Sequence, residues 1–240
     1  VVPDHLRSGY VEEVILLPSV VPYEEPWVAP FDYVPEVGTL PYRRHGFITF
    51  GSLNRAEKLN PDVIQAWIAI LKAVPDSRLI LKSHQLTLSE VTVKVVGWFD
   101  HAGIDPGRLG IAGTTPHAIH TNVLNAVDIS LDPFPHTGGV SALESLWMGV
   151  PVITMLGERS VNRLSASFVT QVGHPEWIAE SVEEYVTLAV ELAKQTDHLA
   201  VLKRTLRDRM KLAPMCRLSE YTEAVEAAYK RLFSRWCGKG

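Results

Sequence analysis

From Gly46 onward the apolar residues fall into an alternating order. Phe47-Ile48-Thr49-Phe50 predicts a buried strand that ends at Gly51. Asn60-Pro61 predicts a helix start, with asparagine as the cap and proline in the first turn. Val63, Ile64, Trp67, Ile68 and Leu71 then share one helical face. Pro75-Asp76 stops that helix, and Leu79-Ile80-Leu81 is the next strand. A strand–helix–strand unit of this length implies a parallel pair. The alternation continues as helix 91–102, strand 109–112, helix 116–126, strand 127–131, helix 140–148, strand 152–155 and helix 162–172. Five strands alternating with helices predict an α/β fold. It is a Rossmann-like parallel sheet, doubly wound, with helices on both faces. The tail is helical, over 182–194, 198–211 and 219–236, with Ser219 as cap of the last helix. Trp67, Trp147 and Trp177 lie on apolar faces and read as core.

Residues before Gly46 differ. Pro3, Pro18, Pro22, Pro26, Pro30, Pro35 and Pro41 favour extended chain, with one short helix expected over 8–14. The chain therefore divides into a proline-rich connector over 1–45, a Rossmann-like domain over 46–180, and C-terminal helices over 181–240 that complete the same domain.

Composition narrows the class. The 240 residues are 46% hydrophobic and 21% charged with net charge -4, as expected of a soluble globular protein. The mild negative charge predicts no nucleic-acid partner. No apolar run reaches the roughly 18–20 residues of a membrane span, and no signal peptide opens the chain. Cys216 and Cys237 are too few for a disulfide framework, so a reducing, cytoplasmic setting is expected. Opening on Val1 rather than Met suits a processed or excised piece. The basic run Lys203-Arg204, Arg207, Arg209 and Lys211 reads as a solvated helix face, interrupted by Asp208.

The segment richest in chemistry runs from Asp132 to Pro151, between a strand and a helix. It should lie at the carboxyl edge of the sheet, where open α/β folds bind ligands. Gly138-Gly139 lets the backbone approach a ligand, and the helix that follows favours an anion such as a diphosphate. Ser141 adds a hydroxyl donor, and Glu144 is placed to accept from two ribose hydroxyls. Gly-Gly alone would equally end a loop, and Glu144 alone would suit the helix dipole. Strand, Gly-Gly, Ser and Glu in this order favour binding. There is no Asp-x-Asp motif, no metal-ligand spacing among nine histidines and two cysteines, no Gly-x-Ser-x-Gly and no P-loop.

The pattern Asp-x-x-Pro-x-x-Gly-Gly-x-x-x-x-Glu-x-Leu-x-x-Gly-x-Pro-Val resembles the nucleotide-sugar signature of two-Rossmann-domain (GT-B) glycosyltransferases. More narrowly, the chain resembles the catalytic region of the O-linked N-acetylglucosamine transferases, glycosyltransferase family 41, in their bacterial form. The resemblance rests on Phe50-Gly51-Ser52-Leu53-Asn54 followed by Lys58, and on Trp67, Ile70-Leu71 and Val74-Pro75. It continues through Leu146-Trp147, Gly149, Pro151-Val152, Gly157-Glu158 and Arg163, from about Tyr10 to Trp236.

The resemblance implies a role for each matching position. Lys58 would contact the diphosphate and help UDP to leave, and Asn54 and Arg55 would lie near it. His120 would pack against uracil, with Thr115 and His117 flanking the base-binding loop. Glu144 would hold ribose, and Gly138, Gly139, Val140 and Ser141 the diphosphate. Three positions depart from the family: Val140 stands where Thr is frequent, Arg55 where Gln or Asn is usual, and His117 where Lys is frequent. The implied reaction is inverting transfer of N-acetylglucosamine from UDP to Ser or Thr hydroxyls of an acceptor protein, with no metal and no further cofactor. This chain would supply the donor half. An N-terminal catalytic half and tetratricopeptide repeats would be its partners. The other readings are a GT-B-type UDP-sugar epimerase and a non-catalytic UDP-sugar-binding module.

Overall fold

The computed structural model describes residues 2–24 and 35–238. Pro26 and Pro30, expected in extended chain, lie outside them.

Among the described residues, six parallel strands form one sheet: β1 (Thr49–Ser52), β2 (Arg78–Lys82), β3 (Leu109–Ala112), β4 (Ile129–Leu131), β5 (Val152–Met155) and β6 (Ile178–Ala179). Their order is β3-β2-β1-β4-β5-β6. The chain winds outward from β1 in one direction, then returns to place β4 on its other side. The reversal opens a crevice between the carboxyl ends of β1 and β4, where such sheets bind ligands. The strands are short and mostly apolar because helices cover both faces. Phe50, Leu79, Leu81, Ile129, Leu131 and Ile153 are buried.

The helices are α1 (Pro41–His45), α2 (Pro61–Ala73), α3 (Ser89–His101), α4 (His117–Asn122), α5 (Val140–Trp147), α6 (Leu164–Gln171), α7 (Val182–Lys194), α8 (Thr196–Leu212) and α9 (Leu218–Cys237). Asn60 caps α2 as expected, its side chain accepting the amide of Val63. Trp67, Trp147 and Trp177 are all core.

Several elements differ from expectation. The first strand runs through Gly51 rather than stopping there. A Cβ at Gly51 would come within 2.6 Å of the Val127 side chain, so the glycine allows close approach inside a strand. The helix expected over 8–14 does not form, and residues 10–14 are not helical. A 3-10 turn occupies Asp4–Gly9 instead, stapled by an Asp4–Arg7 ion pair, and Glu13 pairs with Arg235 on α9. Pro41–His45 is helical rather than extended. The strand β6 has only two residues, too few for a periodic signal. Ser219 lies within α9, whose cap is Arg217 with no side-chain hydrogen bond.

The basic run on α8 is a solvated face only in part: Arg204, Arg209 and Lys211 are exposed, whereas Lys203 and Arg207 turn inward. Lys203 is buried, and its Nζ donates to the carbonyls of Met148 at 2.9 Å and Leu124 at 3.2 Å. Arg207 donates to the Trp147 carbonyl and lies over its ring. Lysine and arginine carry long apolar stems, so they line a packed face when carbonyls receive their heads.

Candidate functional site

Two loops wall the crevice. The first follows β1 and contains a 3-10 turn at Ala56–Lys58. Residues at the end of β2 hold it: Ser83 Oγ accepts the Ala56 amide at 3.1 Å, and Gln85 donates to Glu57 at 2.7 Å. Asn60 joins this loop to the second, because its Nδ2 donates to the Phe134 carbonyl at 2.5 Å.

The second loop follows β4. Asp132, buried at its start, accepts the Gly138 amide and the Thr154 hydroxyl, each at 2.8 Å. Burial raises its pKa, and hydrogen bonds from Ser165, Thr154 and Gly138 oppose the shift. Tyr185 on α7 donates to the Asp132 carbonyl at 2.9 Å and accepts from Trp67 of α2 at 3.1 Å. Helices on the outside of the sheet thus hold the loop. A Cβ on Gly138 would meet Asp132 Oδ1 at 2.6 Å and Ser141 Oγ at 2.9 Å, so only glycine fits. A Cβ on Gly139 would meet nothing within 4 Å. Gly139 caps α5, and the start of that helix opens on the crevice.

Lys58 spans the two loops. Its Nζ donates to the Thr137 carbonyl at 2.8 Å and to Asn54 Oδ1 at 3.1 Å. The same Asn54 oxygen accepts from Ser141 Oγ at 3.0 Å. Burial lowers the Lys58 pKa; Asp132 opposes this and Arg55 adds to it. Lys58, Arg55 and the helix start together form a cationic wall suited to an anion. Farther along, His120 Nε2 lies 3.4 Å from Glu144 Oε2, and Glu144 is buried.

The cleft holds about 950 Å³, within the range of small-molecule sites. Asn54, Arg55, Lys58, Thr115 and His120 line it together with Gly139, Val140, Ser141 and Glu144. Gly138 is buried and touches this wall at Ser141. His117 opens α4, and its side chain is outside what the structure describes. Sequence reasoning missed Asp132 as the anchor of the turn, although it stood at the head of the motif. It also missed the second contact of Asn60 and the place of His136 on the cleft wall. The His136 pKa is lowered by burial, then by Lys58 and Arg55.

The chain is similar to known proteins in sequence and in fold. The model of Glycosyl transferase family 41 matches residues 40–225. A rice protein (Oryza sativa subsp. japonica), described as a probable UDP-N-acetylglucosamine–peptide N-acetylglucosaminyltransferase SPINDLY, is 34% identical over 239 residues. That match covers 98% of this chain and 25% of the rice protein. The UDP-N-acetylglucosamine–peptide N-acetylglucosaminyltransferase of Caenorhabditis elegans is 27% identical over 189 residues, 79% of this chain and 16% of its own length. A solved mutant O-GlcNAc transferase from Thermobaculum terrenum superposes with TM-score 0.83 at 27% identity, covering 99% of this chain and 44% of that one. The chain spans about a quarter of the length of the curated SPINDLY relatives it matches.

Proposed function

The chain belongs to glycosyltransferase family 41, and from that premise we propose that it is the donor-binding half of an inverting protein glycosyltransferase. The reaction is transfer of N-acetylglucosamine from UDP-N-acetylglucosamine to a serine or threonine hydroxyl. The acceptor oxygen bonds to the anomeric carbon from the face opposite UDP. The sugar–phosphate bond breaks, UDP takes the electron pair, and the hydroxyl proton passes to a base outside this chain.

One observation carries the reading: Lys58, Asn54 and Ser141 form a hydrogen-bonded cluster beside the start of α5. A diphosphate set there meets an ammonium, a hydroxyl and a helix N-terminus. These stabilise the charge that grows on the leaving group. We propose that they do so without a metal ion. Glu144 takes the ribose hydroxyls and His120 the base, with Thr115 and His117 at the edge of the base loop. Arg55 and Val140 complete the phosphate end, Val140 through its backbone only. Acceptor binding and the base belong to an N-terminal catalytic half, with tetratricopeptide repeats beyond it and the cytoplasm as setting.

Calorimetric titration of the chain with UDP, with and without EDTA, tests the donor site. Binding indifferent to EDTA, and weakened in Lys58→Ala and Glu144→Ala, is expected. A folded chain that ignores UDP, or needs a divalent ion to bind it, overturns the assignment. Sugar transfer is tested on the protein joined to its N-terminal half, by mass spectrometry of an acceptor incubated with UDP-N-acetylglucosamine.

A further inference from the structure

A second cavity, of about 330 Å³, adjoins the donor cleft at the carboxyl ends of β2 and β3. The two share Leu53, Asn54, Arg55, Thr115 and His120. Lys82, the last residue of β2, lines this annex although it is only 2% exposed. Its Nζ donates to the Gly113 carbonyl at 2.6 Å. An ammonium has three N–H donors and no acceptor, so that bond uses one of them. Among the described residues no carboxylate pairs with Lys82, and burial alone lowers its pKa. At the seam between the cavities, Thr115 Oγ1 is buried and has no hydrogen-bond partner among the described residues. Buried polar groups with unused capacity are costly. Two of them border one cavity, so a ligand edge that hydrogen-bonds to them offsets that cost.

The position indicates which edge. Lys58 and Ser141 mark the diphosphate, Glu144 the ribose, and His120 beside it the start of the annex. The annex lies on the β2–β3 side of the sheet, away from β4. The part of a nucleotide farthest from its phosphates is the base.

We propose that Lys82 reads the nucleobase of the donor. With the Thr115 hydroxyl it takes the ring edge, and its amine selects a base that presents a ring carbonyl oxygen over one that presents an exocyclic amine. The inference rests on the donor-site reading above. The selection follows from chemistry: a carbonyl oxygen accepts from an ammonium, whereas an amine sets donor against donor.

The test is calorimetric titration of the chain with UDP, CDP, GDP and ADP, repeated on Lys82→Met and Lys82→Gln, with Tm recorded for each. The unmodified chain is expected to favour the base with a carbonyl where its counterpart of the same size carries an amine, UDP over CDP (at C4) or GDP over ADP (at C6), by roughly ten- to a hundredfold. In Lys82→Met the ratio falls close to unity, and in Lys82→Gln, which keeps a neutral donor, part of it survives. Equal affinities within both pairs overturn the proposal whatever the variants do, while leaving the donor site standing. An unchanged ratio in a folded Lys82→Met overturns it too. If none of the four binds to a folded chain, the donor-site reading itself falls, and this inference falls with it.

Discussion

The buried carboxylate of Asp132 accepts the backbone amide of Gly138 at 2.8 Å, closing the loop after β4 on itself. Its other oxygen accepts the Thr154 hydroxyl of β5. The turn that starts α5 is therefore set by a residue that does not line the cleft. Replacing Asp132 with Ala takes this acceptor from the buried donors of Gly138, Thr154 and Ser165. We expect a loss of about 2–4 kcal/mol in stability, read by urea unfolding. UDP affinity should fall as well, because the turn loses its shape. A variant as stable as the parent would show that water or the backbone replaces the carboxylate.

Much of this site can be read from the sequence, because local rules agreed with the fold. Asn60-Pro61 and the apolar face after it fixed α2, and a strand followed by Gly-Gly, Ser and Glu marked the cleft wall. The unread parts depend on partners far apart in the chain. Lys203 meets carbonyls 55 and 79 residues away, so its run of charges looked solvated. Asp132 stood inside the motif, yet its acceptor role needs Thr154, 22 residues on. Lys82 sat at the end of an apolar strand and carried no motif at all.

The two glycines of the turn should respond differently. A methyl at Gly138 collides with Asp132 and Ser141, so Gly138→Ala should cost about 1–3 kcal/mol and disturb binding through misfolding of the turn. A methyl at Gly139 meets no protein atom within 4 Å. Gly139→Ala should cost less stability, yet still weaken UDP, since the methyl projects where a diphosphate would lie. Melting curves and UDP titrations on both variants decide this. Unimpaired UDP binding by Gly139→Ala would remove the diphosphate from the turn.

Glu144 is buried beside His120, and its proposed partner is ribose. The unmodified chain should therefore prefer UDP to 2′-deoxy-UDP by roughly tenfold or more, the worth of a hydrogen bond to a charged group. Glu144→Ala should bind both alike. If the preference persists in that variant, ribose is held elsewhere.

Asp128, at the amino ends of β1 and β4, and Lys203 on α8 are both buried and attract each other without forming an ion pair. Burial pushes the Asp128 carboxyl up to about 6, against hydrogen bonds from Thr49 and Tyr42 and the attraction of Lys203. Burial pulls the Lys203 amine down to about 7; Asp128 resists this and Arg207 adds to it. The raised Asp128 pKa gives stability that is full below pH 3.8 and lost as the pH rises through about 6. The depressed Lys203 pKa gives stability that is full above pH 10.5 and lost as the pH falls through about 7. Measured against an Asp128→Asn, Lys203→Met double variant, the parent should be relatively least stable between about pH 6 and 7. Urea unfolding of both proteins from pH 4 to 10 gives the difference, and a flat curve would mean that the pair keeps ordinary pKa values.

The role proposed for Lys58 distinguishes catalysis from mere binding. Its amine bonds to Thr137 and Asn54 in the free protein, so it is already in place before a donor arrives. A preorganised cation stabilises the leaving diphosphate most when the sugar–phosphate bond is breaking. In the protein joined to its N-terminal half, Lys58→Ala should lower kcat by about 10²–10³-fold while UDP affinity changes far less. The charged form is the active one, and burial lowers its pKa below the usual lysine value of 10.5. The rate should therefore decline on the alkaline side at a pH below 10.5, and the residual rate of Lys58→Ala should lack that decline. A variant that loses binding and turnover in equal measure would make Lys58 an anchor for the donor and leave its departure to the helix start alone.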